Sequence, residues 1–199
     1  GNQAVTQSNS SFNTTIIGGH GGASAINAAN ASAGSGGTAT GGMVNILGEN
    51  GEDDNGGDSA GPLGGVVGRG GDGTSNFTNN GNQGAILIEE YADASGQMVG
   101  EKLISHQLFT TLGAATWTRP ANVTKIRVWV IGPGGGSGVG TNSWAGGGGG
   151  GGCAMSILDV SNIITAPVVI GTSIVKSQGG SIVPDTITHS SFNTTIIGT

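Results

Sequence analysis

Five carboxylates crowd into ten residues of this chain: Glu49, Glu52, Asp53, Asp54 and Asp58. Converging carboxylates and carbonyls bind calcium. The Asp-x-Asp-x-Asp-Gly spacing of a calcium loop is absent, however, and the plain alternative is a solvated loop kept soluble by its charge. Just beyond lies Ser59, in Gly57-Asp58-Ser59-Ala60-Gly61-Pro62. A serine nucleophile needs a histidine base within hydrogen-bond reach and a carboxylate behind it. His20, His106 and His189 are scattered and show no metal-ligand spacing. Cys153 is the only cysteine, so no intrachain disulfide can form. Between Gly152 and Ala154 it reads as a small buried residue rather than a reactive thiol. Glycine-rich loops can cradle phosphate, but GxxxxGK[ST] and its lysine are missing.

The Ser59 hexapeptide resembles the nucleophile motif of chymotrypsin-like serine proteases, Gly-Asp-Ser-Gly-Gly-Pro. The histidine setting of that family, Thr-Ala-Ala-His-Cys, has no counterpart: His20 stands in Gly-Gly-His-Gly-Gly-Ala-Ser. A glycine-rich chain generates such strings by composition alone. The expectation is therefore no enzyme, with no catalytic residue, no metal and no cofactor. Trp144 and the acidic residues Glu52, Asp53, Asp54 and Asp58 are the surface-binding candidates. Asn-X-Ser/Thr at Asn9, Asn13, Asn30, Asn76, Asn122 and Asn193 would matter only in a glycosylating secretory pathway.

Composition narrows what can position such residues. Of 199 residues, 43 are glycine, about three times ordinary usage. Disordered chains are charged and poor in β-branched residues; this one is only 9% charged and rich in Val, Ile and Thr, so it reads as ordered. Its side-chain core must be small, and backbone must pack on backbone. Glycine loses more entropy on folding than any other residue, which makes oligomerisation a natural support. A net charge of −6 with scattered basic residues argues against nucleic acid. No run reaches the length of a membrane-spanning helix, so membrane insertion is not expected, and no N-terminal signal peptide is visible.

The most informative stretch is 109–153. After the turn signal Arg119-Pro120-Ala121-Asn122, Ile126, Val128 and Val130 alternate with Lys125, Arg127 and Trp129, the period of a half-buried strand. Trp129 is a lone large aromatic on a charged face, and is expected at a subunit or inter-unit contact. The strand stops at Gly132-Pro133-Gly134. Seven consecutive glycines, residues 146–152, then lead into a second apolar run, 154–160. Polyglycine is normally a flexible linker. Placed between two strands, it admits a second reading: extended helices of the polyproline II type, three residues per turn, packed side by side because no Cβ keeps them apart. Their backbone groups would then pair with one another.

Elsewhere, residues 85–91 form a clear strand and 43–47, 168–170 and 173–175 short ones. Residues 19–42 admit the same two readings as the polyglycine run. No stretch reads as an α-helix. The expected fold class is all-β: short strands with packed glycine-rich polyproline II-like (polyglycine II) segments.

Residues 10–18 and 190–198 are identical, Ser-Ser-Phe-Asn-Thr-Thr-Ile-Ile-Gly, at an offset of 180 positions. The residues upstream differ, so this is a diverged tandem repeat, and a long internal period marks an array of units. The chain then divides into 1–92, the C-terminal half of one unit, a linker at 93–100, and 101–199, the N-terminal half of the next. The open half-units are expected to be completed by halves from neighbouring copies, with Phe12 and Phe192 in equivalent pockets.

Put in natural order, the pieces resemble a known family. Thr116-Trp117-Thr118-Arg119-Pro120, Val128-Trp129-Val130-Ile131-Gly132 and the closing Ala-Ile-Leu-Ile-Glu-Glu-Tyr-Ala of 85–92 are similar to the glycine-rich domain of bacteriophage tail-fibre and receptor-binding proteins. The acidic loop departs from that pattern, which often has mostly glycine there. The resemblance implies a structural and adhesive module of an extracellular fibre, on a virion or cell surface, that meets a bacterial surface receptor. It also implies a homo-oligomer, a trimer or a head-to-tail filament. The alternatives are a tandem-repeat subunit of a cell-surface or secreted filament and, more distantly, an ice-binding protein.

Overall fold

The structure, a computed structural model, describes residues 10–12, 16–22, 24, 33–52, 56–63, 65, 67–73, 80–92, 101–137 and 146–173. Among the described residues ten strands run in chain order: β1 (Ser10–Phe12), β2 (Ile16–Gly18), β3 (Ala39–Thr40), β4 (Val44–Ile46), β5 (Ala85–Ala92), β6 (Lys102–Phe109), β7 (Gly113–Thr118), β8 (Lys125–Ile131), β9 (Cys153–Asp159) and β10 (Thr165–Ile170). No helix occurs among the described residues, and the fold is all-β. The strands form two five-stranded sheets, β3-β2-β1-β10-β7 and β4-β9-β8-β5-β6, with every pairing antiparallel.

The alternation read in 125–131 decides which face turns inward. Ile126, Val128 and Val130 are fully buried, as are Ile86 and Ile88 beside them on β5. They pack on Trp117, Ala166, Val168 and Ile170 of the other sheet, with Ile16 of β2. Chain reversals match local chemistry: Asn122 adopts φ +66°, the left-handed conformation that asparagine tolerates better than most residues. A smaller cluster of Val67, Ala85, Ile131 and Cys153 sits on the opposite face of the second sheet.

The expectation that a neighbouring copy completes each half-unit is corrected here. β5 of the first half lies between β8 and β6 of the second, with Ile88 opposite Val128 and Gln107. β4 extends the same sheet beyond β9. The two halves interleave within one chain, each pairing the backbone edges of strands from the other. The expected strand at 173–175 falls largely outside the described residues, as does the linker 93–100; the hairpin partners on either side of that linker, β5 and β6, are directly paired.

Candidate functional site: a closed ring of glycine segments

Between the strands, the chain leaves the sandwich and returns four times. Residues 19–22, 48–52, 68–72 and 132–136 run outward; 34–38, 56–60, 80–84 and 146–152 run back. The polyglycine run lies at the centre. Gly147 and Gly150 donate to the carbonyls of Glu52 and Glu49, both at 2.8 Å. Gly148 and Gly151 donate to Gly71 and Gly68, at 2.9 and 2.8 Å. Gly149 and Gly152 donate to Gly22 and Gly19, at 2.9 and 2.7 Å. Residues three apart thus face the same neighbour, the signature of a helix with three residues per turn.

The carbonyls of the same run face three further segments. Gly34 and Gly37 donate to Gly147 and Gly150, at 2.8 and 2.7 Å. Gly57 and Ala60 donate to Gly148 and Gly151, at 2.8 and 3.2 Å. Gly135 and Gly132 donate to Gly149 and Gly152, both at 2.9 Å. Six neighbours therefore surround one segment, three accepting from it and three donating to it.

The six also bond to one another in a circuit. Gly19 N–H meets Thr38 at 2.5 Å, Gly48 meets Gly37 at 2.9 Å, and Glu49 meets Asp58 at 3.0 Å. Gly70 then meets Gly57 at 2.9 Å, Gly71 meets Gly135 at 2.8 Å, and Gly21 meets Pro133 at 2.9 Å, which closes the ring. Residues 80–84 add an eighth segment outside it, with Asn82 N–H on Arg69 at 2.6 Å and its carbonyl taken by Gly134 at 2.9 Å. Buried backbone groups must be paired, and here they pair without any β-ladder.

Glycine is obligatory inside this array. A Cβ on Gly149 would overlap the carbonyl oxygen of Ser35, and one on Gly150 that of Asp58. Side chains appear at the rim. Asp58 and Asp72 are joined through Arg69, whose Nε lies 3.2 Å from Asp58 and Nη2 2.8 Å from Asp72. Asn50 Oδ1 accepts from Gly36 N–H at 2.8 Å. His20 is largely enclosed in segment 19–22; burial lowers its pKa below the ordinary 6.5, against a smaller opposing effect of the Gly21 carbonyl.

The residues singled out from the sequence fall at different places in this array. Glu52 is exposed at the end of the ring away from the sandwich, where its carbonyl receives Gly147. Asp58 is exposed on the rim. Asp53, Asp54 and Trp144 lie outside the described residues, in the connections 53–55 and 138–145. Phe192 also lies outside them, as does the Phe12 side chain. Ser59 is buried and its hydroxyl donates to the Val67 carbonyl, which ties down the turn at 61–67. Cys153 is buried, and burial alone pushes its thiol up to about 12; at neutral pH it is a protonated, inert group. Trp129 is half-buried, with Nε1 donating to Glu89 Oε2 at 3.0 Å and its ring against the Ile131–Cys153 cluster of its own chain.

Residues 110–198 match the family model for a glycine-rich domain. Over these residues the chain is similar to that family. No curated protein and no solved structure matches it. The matched stretch of the glycine-rich domain supplies the centre of the ring and one neighbour, 132–136. The other five neighbours come from residues before 110.

One constellation had no forecast from sequence. Glu90 is fully buried between the sheets and accepts from Trp117 Nε1 at 2.7 Å, from Gln107 Nε2 at 2.6 Å and from the Ser105 hydroxyl. Its signal was present: Glu90 shares the strand face of Ile86 and Ile88. A carboxyl on an apolar face demands donors, and three arrive.

Proposed function

We propose that this chain is a structural and adhesive module of an extracellular fibre, a bacteriophage tail fibre that contacts the bacterial surface. The observation that carries the reading is the closed glycine ring. In sequence, its four excursions are joined by residues 25–32, 53–55, 74–79 and 138–145. Those connections hold Asp53, Asp54, Phe77 and Trp144 among Asn, Ser and Thr, groups that stack on and hydrogen-bond to a surface polymer. A backbone-bonded ring places few demands on the sequence of its tips, so recognition residues can change there without loss of the scaffold. Glu52 is exposed at the end of the ring away from the sandwich, and Asp58 is exposed on the rim beside Arg69. The module works by adhesion rather than catalysis, as a homo-oligomer at the virion or cell surface.

The test is binding of the fluorescently labelled protein to a panel of bacterial strains, read by flow cytometry. Binding to a subset of strains is expected, with loss when 138–145 is replaced by Gly-Ser repeats at an unchanged melting temperature. Binding to no strain, or binding indifferent to replacement of all four connections, overturns the reading. Light scattering over a dilution series gives the oligomer. A second reading, a tandem-repeat subunit of a surface or secreted filament, is favoured by the 180-position repeat, and filaments in electron micrographs of the purified chain would establish it.

A further inference from the structure

The duplicated nonapeptide has one described place in the fold. β1 lies along β10, with Ser11 opposite Val169. The chain then turns back into β2, with Phe12 opposite Ile16 and Ser10 opposite Gly18. Ile16 is 3% exposed and belongs to the core between the sheets. Gly18 sits so close to β8 that a Cβ would overlap the Val130 carbonyl oxygen. The place therefore demands an apolar residue and, two positions on, a glycine.

Residues 190–198 meet both demands with Ile196 and Gly198. They also follow β10 in sequence, and consecutive strands pair or neighbour each other in roughly two-thirds of cases. The nineteen residues between Ile170 and Ser190 reach roughly 60 Å when extended, many times the ~4.8 Å between paired strands. The equivalence ends at the next position. Gly19 has no room for a Cβ beside the Thr38 carbonyl, and its counterpart is Thr199.

We infer that residues 190–198 are a second occupant, supplied by the same chain, of the place beside β10 that β1 and β2 hold. The site binds one hairpin of this sequence and the chain carries two. Exchange runs through Gly198 and stops there, so segment 19–22 keeps its bonds to Gly149 and Gly152 whichever copy is seated. The fold thus contains a strand-exchange site with two identical ligands.

The experiment uses the full chain with Ile16→Asp, Ile196→Asp and both, followed by thermal unfolding. Each single variant retains a melting temperature near the parent value, because the intact copy is seated. The double variant falls by about 10 °C or more, since a buried aspartate then has no substitute. In a Cys153→Ala background, Ser11→Cys with Val169→Cys and Ser191→Cys with Val169→Cys each form a disulfide on oxidation, at the mass of one chain. An Ile16→Asp chain that unfolds as readily as the double variant, or does not fold, overturns the inference. So does a Ser191→Cys/Val169→Cys chain that fails to cross-link, or that cross-links only at twice the chain mass, which would place the second occupant in another copy.

Discussion

The sandwich and the glycine ring solve the same problem in opposite ways. In the sandwich, side chains hold the structure: Ile126, Val128 and Val130 interlock with Trp117 and Val168, and burial of apolar surface supplies the driving force. In the ring, side chains are excluded, and the backbone of 146–152 is bonded on all sides. The sandwich tolerates exchange of one apolar residue for another of similar volume. The ring tolerates nothing larger than hydrogen at its centre, yet is indifferent to the chemistry at its rim. Stability in one region is written in volume, and in the other in the absence of volume.

The sharpest way to break this contrast is one methyl group. Gly149→Ala places a Cβ on the Ser35 carbonyl and is expected to lose about 3 kcal/mol or more, since rigid backbone on every side cannot move aside. Chemical denaturation measures it. Gly65→Ala is the control: nothing lies within 4 Å of its Cβ, and only its φ of +80° resists, so about 1 kcal/mol is expected. Equal losses at the two positions would show that conformation, not space, makes the ring glycines necessary.

The sandwich equivalent is Trp117→Phe. It keeps most of the ring volume but removes the donor at 2.7 Å from Glu90. The expected loss is about 2 kcal/mol, the cost of leaving a buried carboxyl oxygen short of a partner. Glu90→Gln, which keeps acceptor and shape, should lose less. A neutral Trp117→Phe would mean that volume alone matters there.

At the rim, Arg69→Ala removes both ion pairs, to Asp58 and Asp72. These side chains are a third or more exposed, and the expected loss is under about 1 kcal/mol, smaller still in high salt. A larger effect would show that rim side chains, and not the backbone, clamp the ring.

The smallest expected effect is pH dependence through His20. Its folded pKa lies below the ordinary value, so the unfolded chain binds the proton more readily as pH falls through about 6.5. His20 therefore subtracts stability below that pH and is neutral above it. Melting temperatures at pH 7.5 and 5.5 should differ less in His20→Asn than in the parent. An unchanged difference would place His20 in water.

How much of the fold is legible in the sequence depends on what carries the information. The alternation in 125–130 set Ile126, Val128 and Val130 on one face, the face that is buried, because a strand's side chains alternate whatever its partner is. The glycine run between two strands pointed to packed extended helices for the same local reason: composition decides which backbone shapes are allowed. Trp129 stood out as an aromatic on a charged face, but its partner Glu89 is forty residues away and had no signature. Glu90 was hidden within a clear strand; the donors that explain it, Ser105 and Gln107 of β6 and Trp117 of the opposite sheet, are brought to it by the fold.

The sequence by itself determined the alphabet: strands with one apolar face, segments without Cβ atoms, a net acidic rim and a repeated nonapeptide. Only the tertiary structure decided that 146–152 is the centre and which six segments surround it. It also decided that the two halves of the chain complete each other. The physical reason is that backbone N–H and C=O groups are the same in every residue. Bonds between them leave no trace in the sequence, so the choice of partner is made by geometry alone, once the sandwich has set where each segment begins.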